Sequence, residues 1–274
     1  MSCDHQDDDN THEALDILKT FLDNILNTFQ EPSRQKCPRC TASRSIYCYD
    51  CCEILFSKEE LPEGVREGVD LPFSLDLILD DKRPSSTGIH AFSVLKTTSG
   101  VDSVNQYRLL DQGQVSGIPD YSTENGVYFL FPSDTSVGLS TVAAEVRRLV
   151  VLDCRWSKSY LRRDPRLAML PKVHLDNPPQ ESFFWRWHNS GAGMLSTIEA
   201  IYFAAWEVAH QQHWALDRRQ SLVNILWIFG LQRAVIKFRY ESGYGHSVIP
   251  YTPFSEEGKA FARKLRIRTE RDTE

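Results

Sequence analysis

The 274-residue sequence predicts an α/β protein in which helices flank a parallel sheet, with a small cysteine-rich unit before it. Two observations predict the sheet. The run 149–152 is apolar and largely β-branched, which is typical of a strand buried on both faces. A second apolar run, 127–131, precedes it, and the stretch 141–148 between them has a helical pattern. Strand, helix and strand at this spacing indicate a βαβ unit with parallel strands.

The composition predicts an intracellular globular protein, in the nucleus or the cytoplasm. Hydrophobic residues make up 41% and charged residues 25%, which are ordinary values for globular domains. No apolar run approaches the ~20 residues that cross a bilayer. The acidic start, 1–10, resembles neither a secretory signal nor a basic transit peptide. A net charge of −6 argues against indiscriminate coating of nucleic acid.

The first segment combines an acidic start with a helical repeat. Its apolar side chains recur at helical spacing: Leu15, Leu18, Leu22, Ile25, Leu26 and Phe29. The sequence therefore predicts an amphipathic helix that packs on the body of the protein or on a partner. The predicted divisions are a disordered acidic tail at 1–12, this helix at 13–31, the cysteine-rich unit at 35–56, the main domain at 70–266 and a polar tail at 267–274.

Four cysteines predict a metal site. Cys37 and Cys40 form one C-x2-C pair, and Cys48 and Cys51 form another seven residues later, which is the spacing of a compact four-thiolate zinc site. Two disulfides are the alternative, which an intracellular composition disfavours. Cys52 is an alternative fourth ligand. Four thiolates leave no open coordination position, so the unit 35–56 is predicted to be a zinc-binding knuckle with a structural role.

A polar loop follows the next predicted strand. The alternation over 71–79 predicts a strand, mostly one-sided, that ends at Asp80. The Ser/Thr/Gly-rich loop 82–88 then leads into a helical run, 89–95. Such a loop can present backbone N–H groups to an anion, although ordinary strand-to-helix turns use the same residues. His90 is predicted to pack or cap rather than to catalyse.

Asp153 is the leading candidate for a functional carboxylate. It directly follows the buried strand 149–152, and ligands of open α/β sheets bind beyond the carboxyl ends of the strands. Because parallel strands end at one edge, the loop 131–133 is expected to lie near Asp153. Capping of the following turn is the alternative role. Another short strand is predicted at 172–175.

Basic residues follow the candidate carboxylate. Between 147 and 172 they clearly outnumber the acids, which would suit a phosphate-bearing partner; a solvated helix face is the alternative. The aromatic run 183–188 is predicted to be either a buried strand, with Phe184 in the core, or a platform on which bases stack. The candidate RNA-binding residues are Arg147, Lys158, Arg162, Arg163 and Arg186.

A capping box marks the start of a long helix. Ser196 and Glu199 stand three residues apart before an apolar helical repeat. These residues can be explained by capping alone. In the alternative, functional role, the exposed N–H groups and the dipole of this helix start would also hold a carboxylate. Further helices are predicted at 218–235 and 256–266.

Four segments, in this order, resemble the DTW-domain family of tRNA-uridine aminocarboxypropyltransferases, and its eukaryotic members above all. They are the four cysteines, the Ser86-Thr87 loop, the run 130–133, and Asp153-Cys154-Arg155-Trp156 followed by 195–200. The resemblance covers about Cys37 to Trp206. The family signature is Asp-x-Thr-Trp, and this chain departs from it by carrying Arg155 at the third position.

The resemblance implies a SPOUT-like, knotted fold with S-adenosylmethionine as donor. It implies transfer of the 3-amino-3-carboxypropyl group to N3 of a uridine in tRNA. Asp153 is then the candidate base for the N3 proton, and Trp156 the residue that stacks on the base or lines the adenine pocket. The donor-binding residues it implies are Thr87, Phe131, Pro132, Ser133, Asp153, Leu195, Ser196, Thr197 and Glu199.

Two other functions fit the same residues. A SPOUT-type methyltransferase would use the same donor and transfer its methyl group to RNA. A non-catalytic zinc-knuckle protein would bind RNA without reaction, and Arg155 favours this alternative because it replaces a small hydroxyl by a long cation.

Overall fold

The computed structural model describes residues 4–99, 118–154, 164–180, 182–185 and 194–242. Its strands are β1 (Gln35–Lys36), β2 (Ser43–Arg44), β3 (Tyr47–Cys48), β4 (Glu53–Ile54), β5 (Ser74–Leu79), β6 (Val127–Leu130), β7 (Val137–Gly138), β8 (Arg148–Asp153) and β9 (Lys172–His174). Its α-helices are α1 (Asp4–Thr28), α2 (Glu63–Arg66), α3 (Gly88–Ser99), α4 (Leu139–Val142), α5 (Pro165–Ala168), α6 (Thr197–Gln211), α7 (Leu216–Ser221) and α8 (Trp227–Glu241). The 3-10 turns within the described residues are Lys58–Glu60, Arg83–Ser85 and Leu222–Leu226.

A five-stranded parallel sheet confirms the predicted α/β class. The strand order is β5-β8-β6-β9-β7, so the apolar strand β8 lies between β5 and β6. In register, Leu79 lies opposite Asp153 and Leu130 lies opposite Val151. The parallel pair β6 and β8 is therefore confirmed, as is the short strand β9. The predicted helix between β6 and β8 is shorter than expected and is limited to the four residues of α4.

Strand β5 corrects the expectation of a one-sided strand. It begins at Ser74, and its residues from Leu75 onward are buried on both faces of the sheet. The polar exception is Asp76, which is buried because Arg148 forms an ion pair with it at 3.0 Å and the Tyr121 hydroxyl donates to it at 2.9 Å. Packing on the second face, where Ile78 lies in a separate small apolar cluster, explains why both faces are covered.

Helix α1 spans Asp4–Thr28, whereas a disordered tail over 1–12 and a helix over 13–31 were predicted. The predicted helix is extended because α6 holds its first half. The Trp206 indole donates to the Asn10 side-chain oxygen at 2.8 Å, and the Tyr202 hydroxyl donates to the Ala14 carbonyl at 3.0 Å. These bonds confirm that α1 packs on the body of the protein.

The stretch Leu216–Glu241 is long enough to cross a membrane, and an 18-residue window within it has a mean hydropathy of 1.3. Inside this fold its apolar side chains belong to the main core, where Leu222, Ile225 and Phe229 are fully buried. It comprises α7, a 3-10 turn and α8, whereas a single helix at 218–235 was predicted. The predicted helix 256–266 and the tail 267–274 lie outside the described residues.

Candidate active site and metal-binding knuckle

Two separate segments converge on the carboxylate of Asp153, which lies at the end of β8. Its Oδ1 atom accepts a hydrogen bond from the Thr197 hydroxyl at 2.8 Å, at the start of α6. Its Oδ2 atom accepts from the Gly88 amide at 3.1 Å and from the Ser86 hydroxyl, both in the turn that follows β5. Asp153 is only 5% exposed. The predicted neighbours, the end of the central strand and the start of the capped helix, therefore form one site.

Burial dominates the electrostatics of this carboxylate. Desolvation raises the pKa of Asp153 above its ordinary value, and the negative charge of Asp81 adds to the rise. The hydrogen bonds from Ser86, Thr197 and Gly88 lower the pKa, but they compensate only in part. The group therefore binds a proton more readily than an exposed aspartate does.

The Ser/Thr/Gly-rich loop accepts hydrogen bonds from the first turns of two helices, α3 and α6. The Ser86 oxygen accepts from the Ile89 amide at 3.1 Å, which caps α3. The Thr87 oxygen accepts from the Ile198 amide at 3.4 Å, which links the loop to α6. Sequence reasoning singled out Thr87 but not Ser86 or Gly88 as site residues. The available signal was the Ser-Ser-Thr-Gly run in the loop between a strand and a helix.

Gly88 allows this close approach. A Cβ atom on Gly88 would lie 2.7 Å from Asp153 Oδ2 and 2.8 Å from a methyl carbon of Leu77, neither of which can withdraw easily. We expect Gly88→Ala to destabilise the fold by about 1–3 kcal/mol, measured by urea unfolding. Gly64→Ala is the matched control, because its Cβ would meet only the side chain of Asn224. Equal stability of the two variants would contradict this tight contact.

The predicted capping box is present, and its carboxylate, Glu199, also binds a second segment of the chain. The Glu199 carboxylate accepts from the Ser196 amide at 3.0 Å and from the Ser196 hydroxyl at 2.5 Å. It also accepts from the Ser182 hydroxyl at 2.5 Å and the Phe183 amide at 2.6 Å. At 1% exposure, Glu199 thus binds the segment 182–183 to the start of α6. These four donors favour a structural role for Glu199 over direct contact with a ligand.

We expect Glu199→Gln to destabilise the fold by about 2–4 kcal/mol, because the new amide N–H group would face donors in a buried setting. Urea unfolding measures this loss. Glu60→Gln is the control, since Glu60 accepts from the Ser57 amide in a similar but exposed capping box. A loss for Glu199→Gln as small as that of the control would contradict the assigned role.

The loop 131–133 leaves the same sheet edge as Asp153, as the parallel pairing of β6 and β8 requires. Its contacts, however, point toward β7 and β9. The Ser133 amide donates to the Ser136 oxygen at 3.1 Å, and the Ser136 hydroxyl lies 2.9 Å from His174 Nδ1. The Phe131 ring stacks on Phe129 on the second face of the sheet. Leu195, just before α6, is buried.

The aromatic segment places a different ring in the core from the one predicted. Trp185 is buried, whereas Phe184 is half-buried and packs against the core, so the prediction for Phe184 is confirmed only in part. Trp185 stacks on His90 with ring centroids 6.2 Å apart. As expected, His90 packs: its Nε2 atom shares a 3.0 Å hydrogen bond with the Tyr47 hydroxyl, and burial lowers its pKa to about 3. His90 is therefore neutral at pH 7.

The basic surface expected beside Asp153 is smaller than the residue count suggests. Arg147 is exposed but precedes β8, so at ~3.3 Å per residue it lies roughly 20 Å from Asp153. Its predicted position next to the site is wrong. Arg148 and Arg166 form ion pairs inside the fold with Asp76 and Asp164. The other candidates lie outside the described residues: Trp156, Lys158, Arg162, Arg163 and Arg186, together with Arg155.

The four predicted ligands form one cluster. The sulfur atoms of Cys37, Cys40, Cys48 and Cys51 all lie within 4.8 Å of one another. Tetrahedral zinc, with Zn–S bonds of ~2.3 Å, separates its sulfur ligands by ~3.8 Å, and the Cys40 and Cys48 sulfurs are 3.5 Å apart. The cluster therefore fits a metal ion held by four thiolates, and Cys52 is not part of it.

Backbone geometry explains the choice of Cys51 over Cys52. Cys52 has a positive φ of 55°, as Thr41 has a φ of 60° after the first cysteine pair. Each of these left-handed residues follows the second cysteine of its pair and closes the turn. For Cys37, burial raises the pKa, but hydrogen bonds from the backbone of Cys40 and Arg39 bring it down to about 7. Such amides favour the thiolate that a metal requires.

Comparison with known proteins adds a family and named relatives. The DTW domain family matches residues 34–229. The tRNA-uridine aminocarboxypropyltransferase 1 of Rattus norvegicus is 26% identical over 85% of this chain and 87% of the relative. The Xenopus laevis protein of that name is 26% identical over 82% and 88%, and the Homo sapiens protein 24% over 83% and 85%. No solved structure matches the chain.

Proposed function

The chain belongs to the DTW-domain family, and from this we propose that it transfers the 3-amino-3-carboxypropyl group of S-adenosylmethionine to N3 of a uridine in tRNA. The relatives that carry this activity in their names span most of the chain. The observation that carries the proposal is the convergence of the end of β8, the loop after β5 and the start of α6 on Asp153. A tRNA substrate also agrees with the expected nuclear or cytoplasmic location.

The reaction requires the site to select one carbon of the donor and to align it with uridine N3. It forms a bond between uridine N3 and the terminal carbon of the aminocarboxypropyl chain, breaks the bond of that carbon to sulfur, and releases methylthioadenosine and the N3 proton. The donor supplies a sulfonium that activates all three of its carbon neighbours. The residues of the site must therefore select one carbon by holding the reactants in line.

Asp153 is proposed to accept the N3 proton. An ionised carboxylate offers about four acceptor positions. Among the described residues, Ser86 and Gly88 occupy Oδ2, and Thr197 occupies one position on Oδ1. A second position on Oδ1 is left for the uridine, and the raised pKa of Asp153 suits a proton acceptor.

The start of α6 is proposed to hold the donor carboxylate. The helix dipole favours an anion, and the Thr197 amide belongs to the residue whose hydroxyl contacts Asp153, whereas the Ser196 amide already donates to Glu199. Trp156 is proposed to stack on a base, and Lys158, Arg162, Arg163 and Arg186 to contact tRNA phosphates. The parallel sheet supports a SPOUT-like fold, for which we propose the knotted form, and four thiolates favour zinc in the knuckle.

Nucleoside analysis tests the proposal. Purified protein is incubated with S-adenosylmethionine and unmodified tRNA, and the digested nucleosides are examined by mass spectrometry. We expect an aminocarboxypropyl adduct on uridine. A methyl adduct would support the methyltransferase alternative, and the absence of both adducts, with no donor binding at millimolar concentration, would support a non-catalytic RNA-binding protein.

A further inference from the structure

Arg83 is one of the side chains that join the metal-binding knuckle to the segment beside Asp153, and it is the one that lies in the loop after β5. Its guanidinium Nη1 atom donates to the carbonyl oxygens of Tyr49 and Asp50 at 3.3 and 3.4 Å. It also lies 3.9 Å from the sulfur of Cys52. These three acceptors all belong to the second cysteine turn. The contacts of Arg83 therefore depend on the conformation of that turn.

On the other side, Arg83 begins the short path to the catalytic carboxylate. It is the first residue of the 3-10 turn Arg83–Ser85, and its carbonyl accepts from the Ser86 amide at 3.3 Å. The Ser86 hydroxyl donates in turn to Asp153. Two residues therefore separate the knuckle from the group that we place at the reacting atoms.

The acceptors of Arg83 depend on the metal site. Tyr49 and Asp50 stand between Cys48 and Cys51, and the backbone amides of Asp50 and Cys51 bond to the Cys48 sulfur. Four thiolates bound to one cation fix this turn. Without the cation nothing would hold the four sulfurs together, so the turn would lose the geometry that presents its carbonyls to Arg83.

We propose that Arg83 is a positioning residue through which the metal-bound knuckle orders the loop that holds Asp153. Only the expected effect on binding of S-adenosylmethionine rests on the proposed function. Because the loop supplies Ser86 and Gly88 to Asp153, its order determines how well the donor pocket is formed. Coupling between two sites of this kind typically changes affinity by ~5–150-fold, and it acts in both directions.

Hydrogen exchange of the full chain tests the coupling without any donor. The peptide spanning 82–90 is followed in the zinc-loaded protein and after chelation with EDTA. We expect chelation to raise exchange in this peptide about tenfold in the wild type. In zinc-loaded Arg83→Ala the exchange should already be raised to that level, and chelation should add nothing, because both changes remove the same contact.

Lys96→Ala is the matched control. Lys96 donates to the Cys51 carbonyl at 2.8 Å and to Glu53 at 2.7 Å, so it also binds the knuckle, but from the last turn of α3. Its removal should raise exchange in the knuckle and leave 82–90 unchanged. If Lys96→Ala raises exchange in 82–90 as much as Arg83→Ala does, the specific role of Arg83 is overturned.

Transfer kinetics separate positioning from general stability. We expect Arg83→Ala, loaded with zinc, to raise the KM for S-adenosylmethionine about tenfold and to change kcat by less than about twofold. Wild-type exchange and KM in this variant would overturn the proposal, as would an additive effect of chelation on it. If chelation unfolds the whole chain, the comparison of zinc-loaded Arg83→Ala with the zinc-loaded wild type decides whether the proposal holds. A wild type without transfer activity overturns the proposed function, while the exchange result still decides the coupling.

Discussion

Asp153→Ala should abolish measurable transfer and also cost stability. Loss of a general base lowers turnover by ~10²–10⁴-fold, and the loss of the acceptor that aligns two segments adds to this. Stability is lost because the substitution would leave three donors inside the fold, from Ser86, Gly88 and Thr197, without their acceptor. We expect a loss of about 2–4 kcal/mol in the free energy of unfolding.

Asp76→Asn is the matched control for this prediction. Asp76 is another buried carboxylate of the same sheet, on β5, but it pairs with Arg148 at the opposite end of the strands. Its substitution should lower stability to a similar degree while the folded protein keeps its kcat. Transfer is measured below the unfolding temperature of each variant, with circular dichroism as a check of folding. Wild-type turnover of Asp153→Ala would exclude Asp153 from the chemistry.

Loss of the knuckle metal should have the second large effect. Structural zinc sites contribute on the order of 10 kcal/mol to the folding of small units. The knuckle also supports the main core, in which Tyr47 and Cys52 are buried. Cys51→Ser should therefore lower the metal content from about one ion per chain to almost none, and lower the Tm by more than about 5 °C. Elemental analysis and calorimetry measure the two quantities.

Cys52→Ala provides the comparison for Cys51→Ser. Cys52 is buried and adjacent in sequence, but its sulfur lies outside the four-sulfur cluster. The variant should keep its metal and most of its stability. Retention of the metal by Cys51→Ser, or its loss from Cys52→Ala, would show that the fourth ligand is Cys52 and that the turn adopts another conformation.

Local patterns predicted the parts of this protein that depend on near neighbours. The apolar run before Asp153 became β8, because a strand buried on both faces needs no polar alternation. Ser196 and Glu199 became a capping box, because its partners are three residues apart. The cysteine spacing predicted the four-sulfur cluster for a similar reason, since each C-x2-C pair forms its own turn.

Patterns failed where the contact partner is far away in sequence. Arg147 lies in the predicted helix 141–148, only six residues before Asp153. Because β8 is extended between them, Arg147 lies at the opposite edge of the sheet. Trp185, rather than Phe184, enters the core because its partners, His90 and Phe229, come from distant helices. Neither outcome has a local signature.

The sequence by itself determined the α/β class, the four-cysteine cluster, the carboxylate and the helix start that face each other, and the family. The tertiary structure alone decided how they are connected. Asp153 meets Ser86 across 67 residues and Thr197 across 44, and Arg83 reaches the knuckle across more than 30. The physical reason is that hydrogen-bond periodicity is local, whereas the partners of a buried polar group are set by which strands and helices pack together.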